Sequence, residues 1–278
     1  MAINDLTFSQ MEGMTSLPEQ LKLRELSQEL RAKVWFVVYA YLKDGIDDSD
    51  YNPVFKDNWA RIVLWWHVHH EHKFADDFRN VPNERIAEFK AIIANSAYNR
   101  VFDLLQFIAR HPVCPRDFEK NINQALENSR AAYRIVDKTV VPVTSEEDTV
   151  TVVRAFEAMQ LPKFAGAKSH LRAAAEALSS GDYPSAVRES IHAVESAARI
   201  LEPSASTLGP ALAALEKSGA LHGSMKQAFG ALYGYTSDEK GIRHALLDKA
   251  EASVDEADAL YMFGACSAFL TYLAKRAP

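Results

Sequence analysis

Apolar residues recur at three- and four-residue spacing through most of the chain, so the pattern predicts helices with brief interruptions. PEQLKLRELSQELRAKVWFVVYAYLKDG opens near Pro18 and stops at Gly45, with Leu23, Leu26, Leu30 and Val34 on one stripe. The acidic turn DGIDDSDYNP reads as a loop, and FKDNWARIVLWWHVHHEHKFADDF as a second helix. After Pro82, with Asn83 as cap, NERIAEFKAIIANSAYNRVFDLLQFIARH reads as a third helix, its apolar faces carried by Ile86, Phe89, Ile93, Phe102 and Leu105. PRDFEKNINQALENSRAAYRIVD makes a fourth, ending in TVVPV. That stretch fits a short strand or an extended linker, and the linker is favoured.

In TSEED, Thr144 and Glu147 have the spacing of a capping box, which predicts a helix through about Met159. LPKFAG breaks the pattern. From Lys163 onward AGAKSHLRAAAEALSSGD, YPSAVRESIHAVESAARILEP, TLGPALAALEKSG, HGSMKQAFGALYG and SVDEADALYMFGACSAFLTYLAKR read as a helical bundle. The expected class is all-α: a helical domain over 1–140, a linker with a bridging helix over 141–162, and a bundle over 163–278.

A length of 278 residues suits two such domains, and 48% hydrophobic with 24% charged residues is ordinary for packed cores. Cys114 and Cys266 lie far apart and belong to no paired-ligand motif. MAINDLTFSQ lacks a basic segment followed by an apolar one, and RIVLWWHVHHEHK is much shorter than a bilayer span, so a cytoplasmic protein off the membrane is expected. The net charge of -6 divides as 17 basic against 19 acidic residues in 1–135 and 14 against 18 in 136–278. Neither half is a basic clamp for long duplexes, although a small positive pocket for one RNA loop is compatible with it. Nucleotide-binding glycine loops, nucleophile triads and CxxC pairs are absent, so no cofactor is expected. Asp47, Asp48 and Asp50 read as a solvated loop.

Three groups of residues carry possible chemistry. In WWHVHHEHK, His67, His70 and Glu71 stand at i, i+3 and i+4 and share a helical face, a spacing a metal could use with further ligands. Neighbouring Trp65, Trp66 and Val68 favour a packing helix instead, and no metal is assigned. In RESIHAVES, Arg188, His192 and Glu195 fall on one helical face. They form either a hydrogen-bonded seam or a site where Arg188 holds a phosphate and His192 moves a proton. In YTSDEKGIRHAL, Ser237 as a cap and Gly241 suggest a tight loop or short helix that delivers Arg243 and His244. RNA cleavage requires a base for the 2′-hydroxyl, an acid for the leaving 5′-oxygen and a cation for the phosphoryl charge. One Arg and one His make half of that set, and a two-fold dimer supplies the rest. The plain alternative pairs Arg243 with Asp238, Asp248 or the Asp255–Glu256 turn.

FSQMEGMTSLPEQLKLRELSQELRAKVW, residues 8–35, resembles the opening of the AbiJ N-terminal domain 4 family, and the likeness runs to about residue 140. SSGDYPSAVRESIHAVESAARIL, LYGYTSDEKGIRHAL and the terminal helix resemble a HEPN-type domain. The first resemblance implies abortive infection, a form of phage defence. The second implies a dimer and, in many members, metal-independent endoribonuclease activity at an Arg, four to six residues, His signature. This chain departs from that spacing: three residues separate Arg188 from His192, and none separate Arg243 from His244. The resemblance then implies Arg243 and His244 as the motif pair, with Arg188 or Glu195 as the polar residue from an earlier helix. The expected function is a defence endoribonuclease, a homodimer through its C-terminal domain that acts on RNA, with a phage or host trigger at the N-terminal domain. The alternative is a non-catalytic RNA-binding, sensor or scaffold protein.

Overall fold

The computed structural model describes residues 8–16, 19–49, 51–238 and 254–276, and the chain divides into two units, 1–140 and 141–278. Helices dominate both, as the apolar periodicity predicts.

In the first unit, α1 is a single exposed turn, Phe8–Met11. Helix α2 covers Gln28–Asp44 and begins at Ser27, whose Oγ accepts from Leu30 N at 3.1 Å. The helix expected from Pro18 therefore starts later, and residue 18 lies outside the described residues. The segment ahead of Ser27 has other partners. Leu21 N donates to Arg130 O at 3.0 Å, and Arg24, at a φ of 69°, donates its N–H to Tyr133 Oη at 3.0 Å. Helix α2 turns Leu30, Val34, Val38 and Leu42 inward. Past Gly45 a small antiparallel pair, β1 (Ile46–Asp47) and β2 (Val54–Phe55), leads into α3, Asp57–His69.

The single helix expected after Pro82 is two helices, α4 (Pro82–Asn95) and α5 (Tyr98–Arg110). Ser96 and Ala97 are extended, and Arg31 captures the exposed carbonyls at the break, donating Nη1 to Ile93 O at 2.7 Å and Nη2 to Ser96 O at 2.9 Å. Charge-assisted bonds of this kind satisfy helix-end acceptors that the chain would otherwise leave open. Helix α6 covers Phe118–Asn128. The expected fourth helix thus ends early, its YRIV end forming strand β3 (Tyr133–Val136), and the TVVPV stretch favoured as a linker is instead its partner strand β4 (Thr139–Pro142). Asp137 and Lys138, at φ of 50° and 63°, turn the chain between them. The core joins Trp66, Phe89, Phe118 and Tyr133 to the aliphatic faces of the helices. Each such fully buried side chain contributes about 1.5–3 kcal/mol, an upper value for an extended unfolded reference.

In the second unit, α7 covers Glu146–Ala158 and ends at Met159 as expected, but its cap is Ser145, not Thr144. Ser145 Oγ accepts from Asp148 N at 3.0 Å, while the Asp148 carboxylate accepts from Thr144 N and Oγ1. The cap thus sits one residue later than the Thr144–Glu147 spacing suggests, and the reciprocal bond falls on Thr144 instead of on the cap. Helix α8 (Ala165–Ser180) ends at Gly181, which takes the left-handed conformation at φ 84°. Asp182 then caps α9 (Tyr183–Leu201), its Oδ1 accepting from Ser185 N at 3.2 Å. The two helices form a tight antiparallel hairpin. Helices α10 (Leu208–Lys217) and α11 (Gly223–Asp238) follow, and α11 continues through Ser237, so that residue does not start a new helix. The last helix, α12 (Glu256–Ala274), is long and apolar enough to cross a membrane by length and composition alone. Within this unit it packs on α7, α8 and α9 and buries Ala259, Met262, Phe263, Cys266, Phe269 and Leu270. Tyr183 Oη donates to Glu256 Oε2 at 2.9 Å, and Tyr272 Oη to Ala220 O at 3.1 Å, fixing both ends of α12.

Candidate functional site

The α8–α9 hairpin gathers a dense group of titratable side chains among the described residues of the second unit. Its inner faces are apolar, with Leu171, Ala174 and Leu178 of α8 and Ile191, Val194 and Ala198 of α9 all buried. One position off that seam on α9 lie Arg188, Glu189 and His192, and His170 of α8 meets them. His170 Nδ1 stands 2.7 Å from Glu189 Oε2, and His192 Nδ1 stands 3.8 Å from Glu189 Oε1. The imidazoles meet edge-on, with centroids 5.3 Å apart. Arg188 Nε is 3.6 Å from Glu189 Oε1, while its Nη2 donates to Ser185 Oγ at 2.9 Å.

One carboxylate thus lies between two imidazoles, with a guanidinium at its edge. Glu189 is the most enclosed, its side chain 20% exposed against 41% for His170 and 33% for His192. Solvent and a ligand can reach the rings. The carboxylate holds His170 by a short polar contact and lies within ion-pair distance of His192, and a half-exposed imidazole beside it is suited to taking and giving protons. The guanidinium offers a fork for a phosphate oxygen.

Of the residues singled out from spacing, the structure brings Arg188 and His192 together. Glu195 is half-buried one turn further along α9. Arg243 and His244 lie outside the described residues, as do Glu239, Gly241 and Asp248. Two members escaped sequence reasoning. Glu189 carries a weak signal, since it precedes His192 by three residues on the same helix. His170 carries none, because only the pairing of α8 with α9 brings it to the site.

The histidine-rich stretch of the first unit has a different character. Helix α3 ends at His69, so Glu71 lies past the helix rather than on a common face with His67 and His70. Buried His67 meets Phe74 O through Nε2 at 3.0 Å and packs edge-on to Phe78. His70 stacks on Trp66 at 4.3 Å with an interplanar angle of 7°. Glu71 accepts from Trp66 Nε1 at 3.2 Å and pairs with Arg100, whose guanidinium lies over the Trp66 ring. Burial, and next the Arg100 charge, hold the His70 pKa below its ordinary value. These contacts describe a packed aromatic and ionic layer in which His70 and Glu71 share Trp66 while His67 faces the Phe74 carbonyl, so the three do not converge on one point. Asp47, at the end of β1, is held below its ordinary pKa by Ser49, first through its side chain and then through its N–H, which donates to Oδ1 at 3.1 Å.

An open groove of about 800 Å³ also lies between α2 and α6, lined by Phe36, Val37, Ala40, Tyr41 and Ala125 among others. Its lining mixes these apolar side chains with Lys33, Asp44, Asn121, Gln124 and Asn128 and holds no imidazole, so the acid–base chemistry is better placed at the α8–α9 cluster.

Comparison with known proteins covers the first unit and α7 of the second. The model of the family described as AbiJ N-terminal domain 4 matches residues 6–158, more than half of the chain. No curated protein and no solved structure matches.

Proposed function

The chain belongs to the AbiJ N-terminal domain 4 family, and from that membership we propose an abortive-infection protein of phage defence whose second unit is a HEPN-type bundle that cuts RNA. The observation that carries the catalytic part is the convergence of Arg188, Glu189, His192 and His170 on two packed helices. The reaction fits that set. An imidazole, His192, takes the proton of the 2′-hydroxyl as O2′ attacks phosphorus. The P–O5′ bond breaks, and a second, protonated imidazole returns a proton to the 5′-oxygen. The products are a 2′,3′-cyclic phosphate and a 5′-hydroxyl. Arg188 neutralises the phosphoryl oxygens, and Glu189 orients the imidazoles, a positioning role. Arg243 and His244 are the proposed second guanidinium and imidazole, supplied across a homodimer of the C-terminal units. The N-terminal unit senses the phage or host trigger.

The test is cleavage of a structured RNA by the purified full chain in excess chelator, with product ends analysed. Cyclic phosphate ends are expected, with a rate loss of about 10²–10⁴-fold in His192→Ala and in His244→Ala, the span of general acid–base catalysis. Cleavage unchanged in both variants removes these residues from the mechanism. The net charge of -6 and the altered Arg–His spacing favour a second reading, in which the protein is a sensor or scaffold that holds RNA. Retention of RNA with no cleavage by the wild-type chain identifies that reading.

A further inference from the structure

His170, Glu189 and His192 each offer one ligand atom, and these atoms all lie within 4.8 Å of one another. We propose that they form a binding site for a divalent transition-metal ion of the zinc type. Metal–ligand bonds of about 2.0–2.2 Å around a tetrahedral ion separate neighbouring ligand atoms by about 3.3 Å. The carboxylate contacts, 2.7 Å to Oε2 for His170 and 3.8 Å to Oε1 for His192, lie on either side of that value, so side-chain rotations about the three residues bring two nitrogens and one oxygen onto the ion. The backbones need not move, because α8 and α9 are locked by their buried faces.

The donor set selects the metal. Two imidazole nitrogens and one carboxylate oxygen suit zinc, cobalt and nickel, whereas Mg²⁺ and Ca²⁺ prefer shells of oxygen. Both histidines turn Nδ1 toward Glu189; an ion bound there takes the place of the Nδ1 proton, and Nε2 then carries the proton of the neutral ring. Three protein ligands with half-exposed imidazoles leave a fourth position to water. Arg188 opposes a cation here, since its Nε lies 3.6 Å from Glu189 Oε1. Its second contact, Nη2 to Ser185 Oγ at 2.9 Å, gives the guanidinium a place beside the site from which it orients the carboxylate.

The site stands on these distances and not on the ribonuclease reading. Where that reading holds, an ion on His192 withdraws the base from proton transfer, so the metal is an inhibitor and the chelated protein is the active form.

Full chain stripped by chelator and titrated with Co²⁺ provides the test. The expected result is one equivalent of Co²⁺ with the visible absorption of a low-coordinate ion, displaced by Zn²⁺ but not by Mg²⁺. His170→Ala, His170→Gln and His192→Ala each lower the affinity at least about tenfold, consistent with loss of a metal-site contact, with far-ultraviolet circular dichroism unchanged. Absence of the absorption in the wild-type chain, or its persistence in a His170→Gln/His192→Ala double variant, overturns the proposal. RNA cleavage is read separately with and without Zn²⁺. Cobalt binding without cleavage leaves the metal site standing and removes the nuclease, and cleavage without cobalt binding does the reverse.

Discussion

Asn123 pairs with the backbone of Ile135 through both ends of its amide: Nδ2 donates to Ile135 O at 2.6 Å, and Ile135 N donates to Oδ1 at 2.7 Å. A side chain on α6 thereby continues the ladder of β3 at an edge that would otherwise be open. Glu119, one turn earlier, accepts from Asp137 N at 3.1 Å and Lys138 N at 3.2 Å. Burial pushes the Glu119 carboxyl above its ordinary pKa, and those two bonds offset part of the rise. Asn123→Ala should destabilise the protein by about 2 kcal/mol, the net value of two partly buried hydrogen bonds. Urea unfolding checks this, and an unchanged midpoint refutes it.

Gly45 should not tolerate alanine. A Cβ there would stand 2.1 Å from Trp59 Cδ1, and the ring is buried in the first core. Its φ of -78° suits any residue, so the obstacle is space and not backbone strain. Gly45→Ala is expected to cost about 1–3 kcal/mol or more through overpacking, read as a lower thermal midpoint.

The first unit should lose stability in mild acid. His70 and His111 both have pKa values below the ordinary 6.5, mainly through burial, with Arg100 and Arg61 as the next causes. The unfolded chain then binds more protons than the folded one as pH falls below about 6.5, so stability is full above that value and declines beneath it. Thermal midpoints at pH 7.5 and pH 5.5 measure the decline. A His70→Phe/His111→Gln variant should show a smaller one.

Both thiols should resist alkylation in the folded protein near neutral pH. Burial pushes Cys114 up to about 11 and Cys266 up to about 12, so almost no thiolate is present. Iodoacetamide with mass spectrometry should find little label under native conditions and two labels in denaturant. Rapid native labelling of Cys266 would contradict the packing of α12.

The helical periodicity made most elements legible, and Gly181 followed by Asp182 marked the α8–α9 turn in the sequence. Three features escaped because their causes are tertiary. Helix α2 starts late because Leu21 and Arg24 bond to Arg130 and Tyr133, more than a hundred residues away. The break between α4 and α5 is held by Arg31, and the β3–β4 turn by Glu119 and Asn123. At the candidate site, spacing along α9 found Arg188 and His192 but overlooked Glu189, which became central only when His170 arrived from α8. Helical spacing describes one helix at a time, and a site shared by two helices needs their packing.

The two ends of the His170–Glu189 contact are separated by only 19 residues of chain. Closing so short a hairpin costs little loop entropy, and local contacts of this kind form early during folding. The polar cluster thus needs only α8 and α9 to meet, whereas α12, from the far end of the sequence, packs on both helices. A lesion in α12 is therefore expected to remove packing from α8 and α9 while leaving the short-range contact of His170 with Glu189 intact.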